Sequence, residues 1–339
     1  MIKRILGVTF VFVLLLFGLS PMSMAQAPNV CLRFSSWWPL PGGYPAGWFY
    51  YGPYPGTYVV QIAAHTNKCP PPPCAPCSAG APSHQGGSPI FLATGDTYID
   101  ETDVSLPGLG GGLSLRRRWN SLWPASEIAS SIGVFGPNWR STYEERIFMG
   151  SDNWLKYSRA DGGYWAFGLN DAGTFVVAAP ANVSATLSQT ATNWLVTFQS
   201  GEKRQFSLAT GLLTAIIDRN GNTTQIAYDS SNRLATVTDP ASRHLYFNYA
   251  NGSSLLATSV TSDFGITLSY TYDAQGRLSL VTRPGQTTVS FTYNTQSQIT
   301  QVTDSNGKVL ESHTYDSSGR GLTSSQANGV NSLTITYPQ

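Results

Sequence analysis

Between Gly211 and Tyr337 one pattern returns six times, and it narrows the possible folds more than anything else in the chain. Lines ending in tyrosine run Thr224–Tyr228, Leu245–Tyr249, Leu268–Tyr272, Val289–Tyr293, Glu311–Tyr315 and Leu333–Tyr337. The closing residues Tyr228, Tyr249, Tyr272, Tyr293, Tyr315 and Tyr337 stand 21, 23, 21, 22 and 22 positions apart. A second line, Asn232–Pro240, comes back as Gly276–Pro284 and more loosely as Gln298–Asp304. A fixed period of this length is the mark of a repeat architecture. In Thr287–Tyr293, Val289, Phe291 and Tyr293 share one face while Thr288, Ser290 and Thr292 share the other. That alternation, in β-branched and aromatic residues, is the pattern of a half-buried strand. Arg283-Pro284-Gly285 and Asn294-Thr295 bound it with turn chemistry. Each period therefore holds two strands and two turns. A lone hairpin is marginal in water, so the units must stack on a shared face. The expected fold is all-β, a long antiparallel ribbon of repeated hairpins.

The chain begins differently. Lys3 and Arg4 precede an apolar run from Ile5 to Leu19, followed by Ser23-Met24-Ala25, so residues 1–25 read as a secretory signal peptide. Fifteen apolar residues are short for a span that needs about 20. Export is expected, to the cell surface, the medium or the periplasm, with no membrane span left after cleavage. Residues 26–69 are rich in aromatics, with Trp37, Trp38, Trp48, Tyr50 and Tyr51 set among Pro and Gly. They could form a small plug or a platform for cell-surface glycan. Residues 70–87 have a linker's composition. All four cysteines, Cys31, Cys69, Cys74 and Cys77, fall in these two stretches, and in an exported chain an even count reads as disulfides. A net charge of +1 on 339 residues gives no electrostatic case for nucleic acid. The one basic cluster, Arg116-Arg117-Arg118, reads as the solvated end of a strand.

The repeat resembles that of the Rhs/YD-repeat family. Tyr272-Asp273-Ala274-Gln275-Gly276-Arg277-Leu278 matches the family unit in full. Tyr315-Asp316-Ser317-Ser318-Gly319-Arg320 lacks only its leucine, and Tyr228-Asp229-Ser230-Ser231-Asn232-Arg233-Leu234 differs only in Asn232 for Gly. Other units are degraded: Asn294 follows Tyr293, Ala250 follows Tyr249, and Leu255-Leu256 stands where Arg-Leu would be. Residues 88–150 resemble the domain of unknown function that precedes such repeats, in the Thr94-Gly95-Asp96 opening, Leu106-Pro107-Gly108 and Trp139-Arg140. Residues 151–209 read as degenerate repeats and 210–339 as the YD repeats proper, with the ribbon starting near residue 140. The resemblance implies part of a spiral shell, which in the family surrounds a C-terminal effector, often a toxin of interbacterial competition. Relative to typical members the chain looks truncated, lacking a toxin domain of its own. Eighteen strands at about 4.8 Å would close into a ring some 27 Å across. That is too narrow for a 100-residue effector, whose diameter exceeds about 30 Å.

Little in the sequence suggests chemistry. No nucleophile elbow, His-Glu-x-x-His or phosphate loop appears. Asp100, Glu101 and Asp103 are the densest acidic group, with Glu144-Glu145 further on; a glycosidase would need two such carboxylates across a cleft. Asp218-Arg219-Asn220-Gly221-Asn222 reads as a hairpin turn, because its glycine stands fourth where a calcium loop needs it sixth. His313 reads as a solvent-face residue. The expectation is a secreted scaffold with no catalytic residue, cofactor or metal. Its partners would be a separately encoded remainder of the shell or a second copy, paired through an open strand edge. A glycan-binding protein on a β-repeat stalk is the alternative, and a carboxylate glycosidase comes third.

Overall fold

A computed structural model describes residues 32–39, 59–65, 85–86, 90–122, 132–327 and 329–337, apart from 93, 151, 153, 181 and 182; of the first three stretches it describes backbone alone. Leu32–Pro39 pairs antiparallel with Val59–His65. Of the linker, Gln85–Gly86 pair with Ile90–Phe91; the rest of it, the signal peptide, Cys31, Cys69, Cys74 and Cys77, Trp48, Tyr50 and Tyr51, and the side chains of Trp37 and Trp38 lie outside the described residues.

The ribbon is a single 19-stranded sheet from Arg146–Met149 to Val330–Thr334, each strand bonded to its neighbours in sequence. Pairing is antiparallel throughout, as alternating hairpin turns require. The ladder slips one residue immediately before five of the six closing tyrosines, at Ala227/Tyr228, Asn248/Tyr249, Thr271/Tyr272, Thr292/Tyr293 and Thr314/Tyr315. A bulge bends and over-twists its strand, so one bulge per repeat curves the ribbon progressively. Its first seven strands, up to Lys203–Ser207, coil back on their start. There Arg146 bridges Leu212, and the Ile147 N–H donates to the Gly211 carbonyl at 2.9 Å. Gly211 has φ +69°, and a Cβ on it would lie 2.0 Å from that neighbouring Ile147 oxygen. The ribbon is thus a coil that tightens early. A single wide ring is not formed.

One face of the ribbon carries its core in columns. Ile226, Phe247, Tyr270 and Phe291 stand opposite Val237, Val260, Val281 and Val302 in successive repeats, all buried. Against this face lies a three-stranded sheet of Tyr98–Leu106, Leu113–Asn120 and Trp139–Ser141. Its Leu113, Leu115, Trp119 and Trp139, with Phe135 from the adjoining turn, join the ribbon's apolar columns in one cluster. Phe135 meets Tyr270 at 4.6 Å and Trp139 meets Phe291 edge-on at 5.1 Å. The N-terminal sheet supplies the apolar cover that curved hairpins cannot supply for themselves.

Candidate functional site

The repeat signature is a set of mutual supports. Asp273 Oδ1 accepts the backbone N–H groups of Gln275 and Arg277, and its Oδ2 accepts Arg277 Nε at 2.7 Å. Asp229 with Arg233, Asp239 with Arg243 and Asp316 with Arg320 repeat this geometry. Between acid and arginine the chain must pass through positive φ, which Gly276 (74°) and Gly319 (82°) supply freely and Asn232 (59°) tolerates. Partial burial opposes ionisation of Asp273, but the Arg277 amide and guanidinium outweigh it and hold the carboxyl below the usual range. Arg277 then lies over the ring of the next tyrosine, Tyr293, at 4.7 Å, as Arg233 lies over Tyr249 and Arg320 over Tyr337.

The tyrosines close the gaps between hairpins. Pairing between Leu234–Thr238 and His244–Tyr249 stops at Thr236 opposite Tyr246. Beyond it the Leu234 carbonyl would be left open, and the Tyr249 hydroxyl donates to it at 2.8 Å. Tyr228, Tyr272, Tyr293, Tyr315 and Tyr337 donate in the same way to Leu213, Ala257, Leu278, Ile299 and Gly321. Degraded units keep the geometry with other residues. Asn294 caps the turn for Gln296 and Gln298, and Ala257, paired with Tyr249, takes the leucine position. The Arg-Leu pair therefore corresponds to Leu256-Ala257, one residue beyond the alignment read from sequence. Asp218-Arg219-Asn220-Gly221-Asn222 is indeed a hairpin turn, with Asp218 accepting the N–H groups of Asn220 and Asn222.

Two sequence expectations are overturned. Of the basic cluster, Arg116 alone is exposed, while Arg117 is fully buried and held by Asp103 in a two-pronged pair. Leu115 and Arg117 both point inward, with the rings of Phe135, Trp139 and Tyr270 around the guanidinium. Asp103 also accepts the Tyr270 hydroxyl at 2.9 Å and Arg283 Nη2 at 3.2 Å, and Arg283 pairs with Glu101 as well. Burial resists ionisation of Asp103, but Arg117, Arg283 and Tyr270 outweigh it and keep it below the carboxylate range. This network ties the N-terminal sheet to the ribbon. Of the candidate glycosidase carboxylates, Asp100 is paired with Arg118, and Glu144 accepts the N–H groups of Val134 and Ser141, so these two are held in structural bonds.

The second is His313, which is buried. It stands two positions before Tyr315, in register with Phe291, Tyr270 and Phe247, and faces Ser324 where the earlier repeats place valine. His313 Nδ1 and Ser324 Oγ are both buried without a hydrogen-bond partner. The same repeat lacks its leucine. Gly321 stands there, its N–H donating to the Gly95 carbonyl at 2.7 Å, and a Cβ on it would lie 2.4 Å from Thr97 Oγ1. The last full unit is irregular because the loop through Gly95–Thr97 docks onto it. Among the described residues, no three His, Cys, Asp or Glu side chains gather as a metal would need.

Comparison with known proteins agrees with the repeat and with its N-terminal companion. Residues 87–167 match a domain of unknown function, DUF6531, and residues 208–244 and 255–288 match the RHS repeat. The first match runs into the ribbon as far as the strand Tyr164–Leu169. Over 142 residues, 42% of this chain, the sequence is 29% identical to the tRNA nuclease WapA of Bacillus subtilis. It is 28% identical to the tRNA3(Ser)-specific nuclease WapA of Bacillus spizizenii. The match covers 6% of the length of each relative. Among solved structures, TcdB2-TccC3 is similar at 11% identity and a TM-score of 0.27, over 76% of this chain and 17% of that one. The Photorhabdus luminescens Tc holotoxin pore is similar at 13% identity and a TM-score of 0.28, over 56% and 11%.

Proposed function

We propose that this chain, which carries Rhs repeats behind a DUF6531 segment, is an exported, non-enzymatic scaffold that forms the closed N-terminal end of a larger β-shell. The observation that carries this reading is the filling of the ribbon's inner face. The sheet from Tyr98 to Ser141 occupies it and is bonded to it by Asp103, Arg117 and Arg283, so this end is a packed wall. The carboxylates that could serve hydrolysis are engaged in holding backbone and arginines. Among the described residues, Val330–Thr334 is bonded on one side only, to Gly321–Gln326. An unpaired strand edge is a template for another strand. That supports docking of a separately encoded remainder or of a second copy. Export rests on the first 25 residues.

The test is a cleavage assay joined to limited proteolysis. The purified chain should leave tRNA and cell-wall glycan intact, while the region from Ile90 to Tyr337 survives protease as one resistant piece. Turnover of either substrate that is lost in folded Asp100→Asn or Glu144→Gln protein would overturn the scaffold reading.

A further inference from the structure

A cavity of about 250 Å³ lies where the ribbon's first coil meets its first repeat, between the segment Gly133–Arg146 and the turn through Asn232 and Arg233. One wall is apolar, made by Val134, Leu212 and Leu255, the last 58% exposed at the lip. The other is lined by Arg140, Glu144, Glu145, Arg146 and Arg233. Arg233 is paired with Asp229, and Glu145 with Arg204. Glu144, beside Arg140, has both oxygens on backbone N–H groups at 2.8 Å. Arg146 is left over. Its Nη2 donates to the Thr210 carbonyl at 3.2 Å, its Nε is buried with no hydrogen-bond partner, and among the described residues no carboxylate forms an ion pair with it.

The surroundings bear this out. Burial draws the Arg140 guanidinium down to about 10, with Arg146 adding repulsion, and burial also lowers Arg146. A desolvated guanidinium without a counter-charge is costly, and an anion brought to it is correspondingly favoured. A guanidinium carries five N–H donors, and those of Arg146 that are not engaged with Thr210 can take a carboxylate oxygen. The volume, just below the ~300–1,000 Å³ of drug-sized pockets, suits one small molecule.

We propose that this cavity binds a carboxylate carried on a small apolar body, the carboxylate on Arg146 and the apolar part against Leu212 and Leu255. The proposal is independent of the scaffold reading. N-acetylleucine is a suitable probe, titrated into the full chain by calorimetry. It should bind saturably, and its amide, which lacks the charge, should bind at least about tenfold more weakly, as befits a hydrogen bond to a charged group. Arg146→Gln should cost about the same factor. Leu255→Glu, at an exposed lip where the fold is not at risk, should also abolish binding. The proposal fails if N-acetylleucine does not bind, or binds Arg146→Gln as tightly as the parent. It fails equally if the amide or inorganic phosphate binds as tightly as N-acetylleucine.

Discussion

Ser324→Val should stabilise the end of the ribbon, because it restores the residue every earlier repeat places there. The parent buries a serine hydroxyl with no partner, opposite His313. Leaving such a group unsatisfied costs about 1–3 kcal/mol. Valine removes that cost and buries the equivalent of one or two more methyl groups, at about 0.8 kcal/mol each. Against this stands any crowding, which can cost about 1–3 kcal/mol in a tight site. His313 is smaller than the phenylalanine facing Val260 or Val302, so the net gain should be about 1–3 kcal/mol. Stacked repeats open from their ends, so the gain is best read locally. Amide hydrogen exchange in Gly321–Gln326 should slow roughly 5- to 150-fold, since each 1.4 kcal/mol is a factor of ten. Ser324→Ala isolates the hydroxyl and should slow exchange by about 1 kcal/mol worth of protection. If both substitutions speed exchange, the hydroxyl has a partner in the folded protein and the reasoning is wrong.

The remaining predictions probe the joints between the two sheets. Asp103→Ala should destabilise the chain by about 3–5 kcal/mol in urea unfolding, because it strands buried Arg117. Asp103→Leu with Arg117→Met should recover much of that loss. Asp96 is buried, and burial, only partly offset by Leu122 N–H and Ser121, lifts its carboxyl to about 7 from 3.8. The folded state therefore holds a proton that the unfolded state has lost between those two values. Stability should fall as pH rises through that window, by up to about 4 kcal/mol, and level off above it. Asp96→Asn should flatten this slope, and an unchanged profile would refute the assignment. Gly321→Leu restores the family residue yet should destabilise by about 1–3 kcal/mol, with Ile90–Thr97 opened to protease, because Thr97 occupies the space. Tyr272→Phe should cost about 1 kcal/mol through the lost bond to the Ala257 carbonyl.

What was legible in the sequence was what local chemistry enforces. A strand that alternates Val289, Phe291 and Tyr293 with Ser and Thr must bury one face, and an Asp four residues before an Arg around a positive-φ residue must make a tight turn. Such constraints are complete within one repeat, so the fold class, the strand pairing and the hairpin at Asp218 follow from reading along the chain. The coil did not follow. It closes where Arg146 meets Leu212, a long-range contact, and the slip among its first seven strands falls at Ala166/Phe167, which strand alternation alone does not reveal.

Arg117 is settled by distant segments and His313 by register. Arg117 looks like one of three solvated arginines until Asp103 and the ribbon's Tyr270 and Arg283 are brought to it. Yet a signal existed, since Leu113, Leu115 and Arg117 share one face of a strand whose first two members are plainly apolar. His313 reads as solvent-facing when its position is matched to the Thr and Ser of other strands, whereas counting back from Tyr315 places it in the column of Phe291 and Tyr270. The register that the tyrosines fix decides between the two. The same unit also loses its leucine to Gly321 and its valine to Ser324, and all three departures are buried. Degeneracy concentrated in one unit marks the place where something else packs against a ribbon, here the Gly95–Thr97 loop. In a repeat protein the positions that break the rule are where the rest of the chain should be expected to dock.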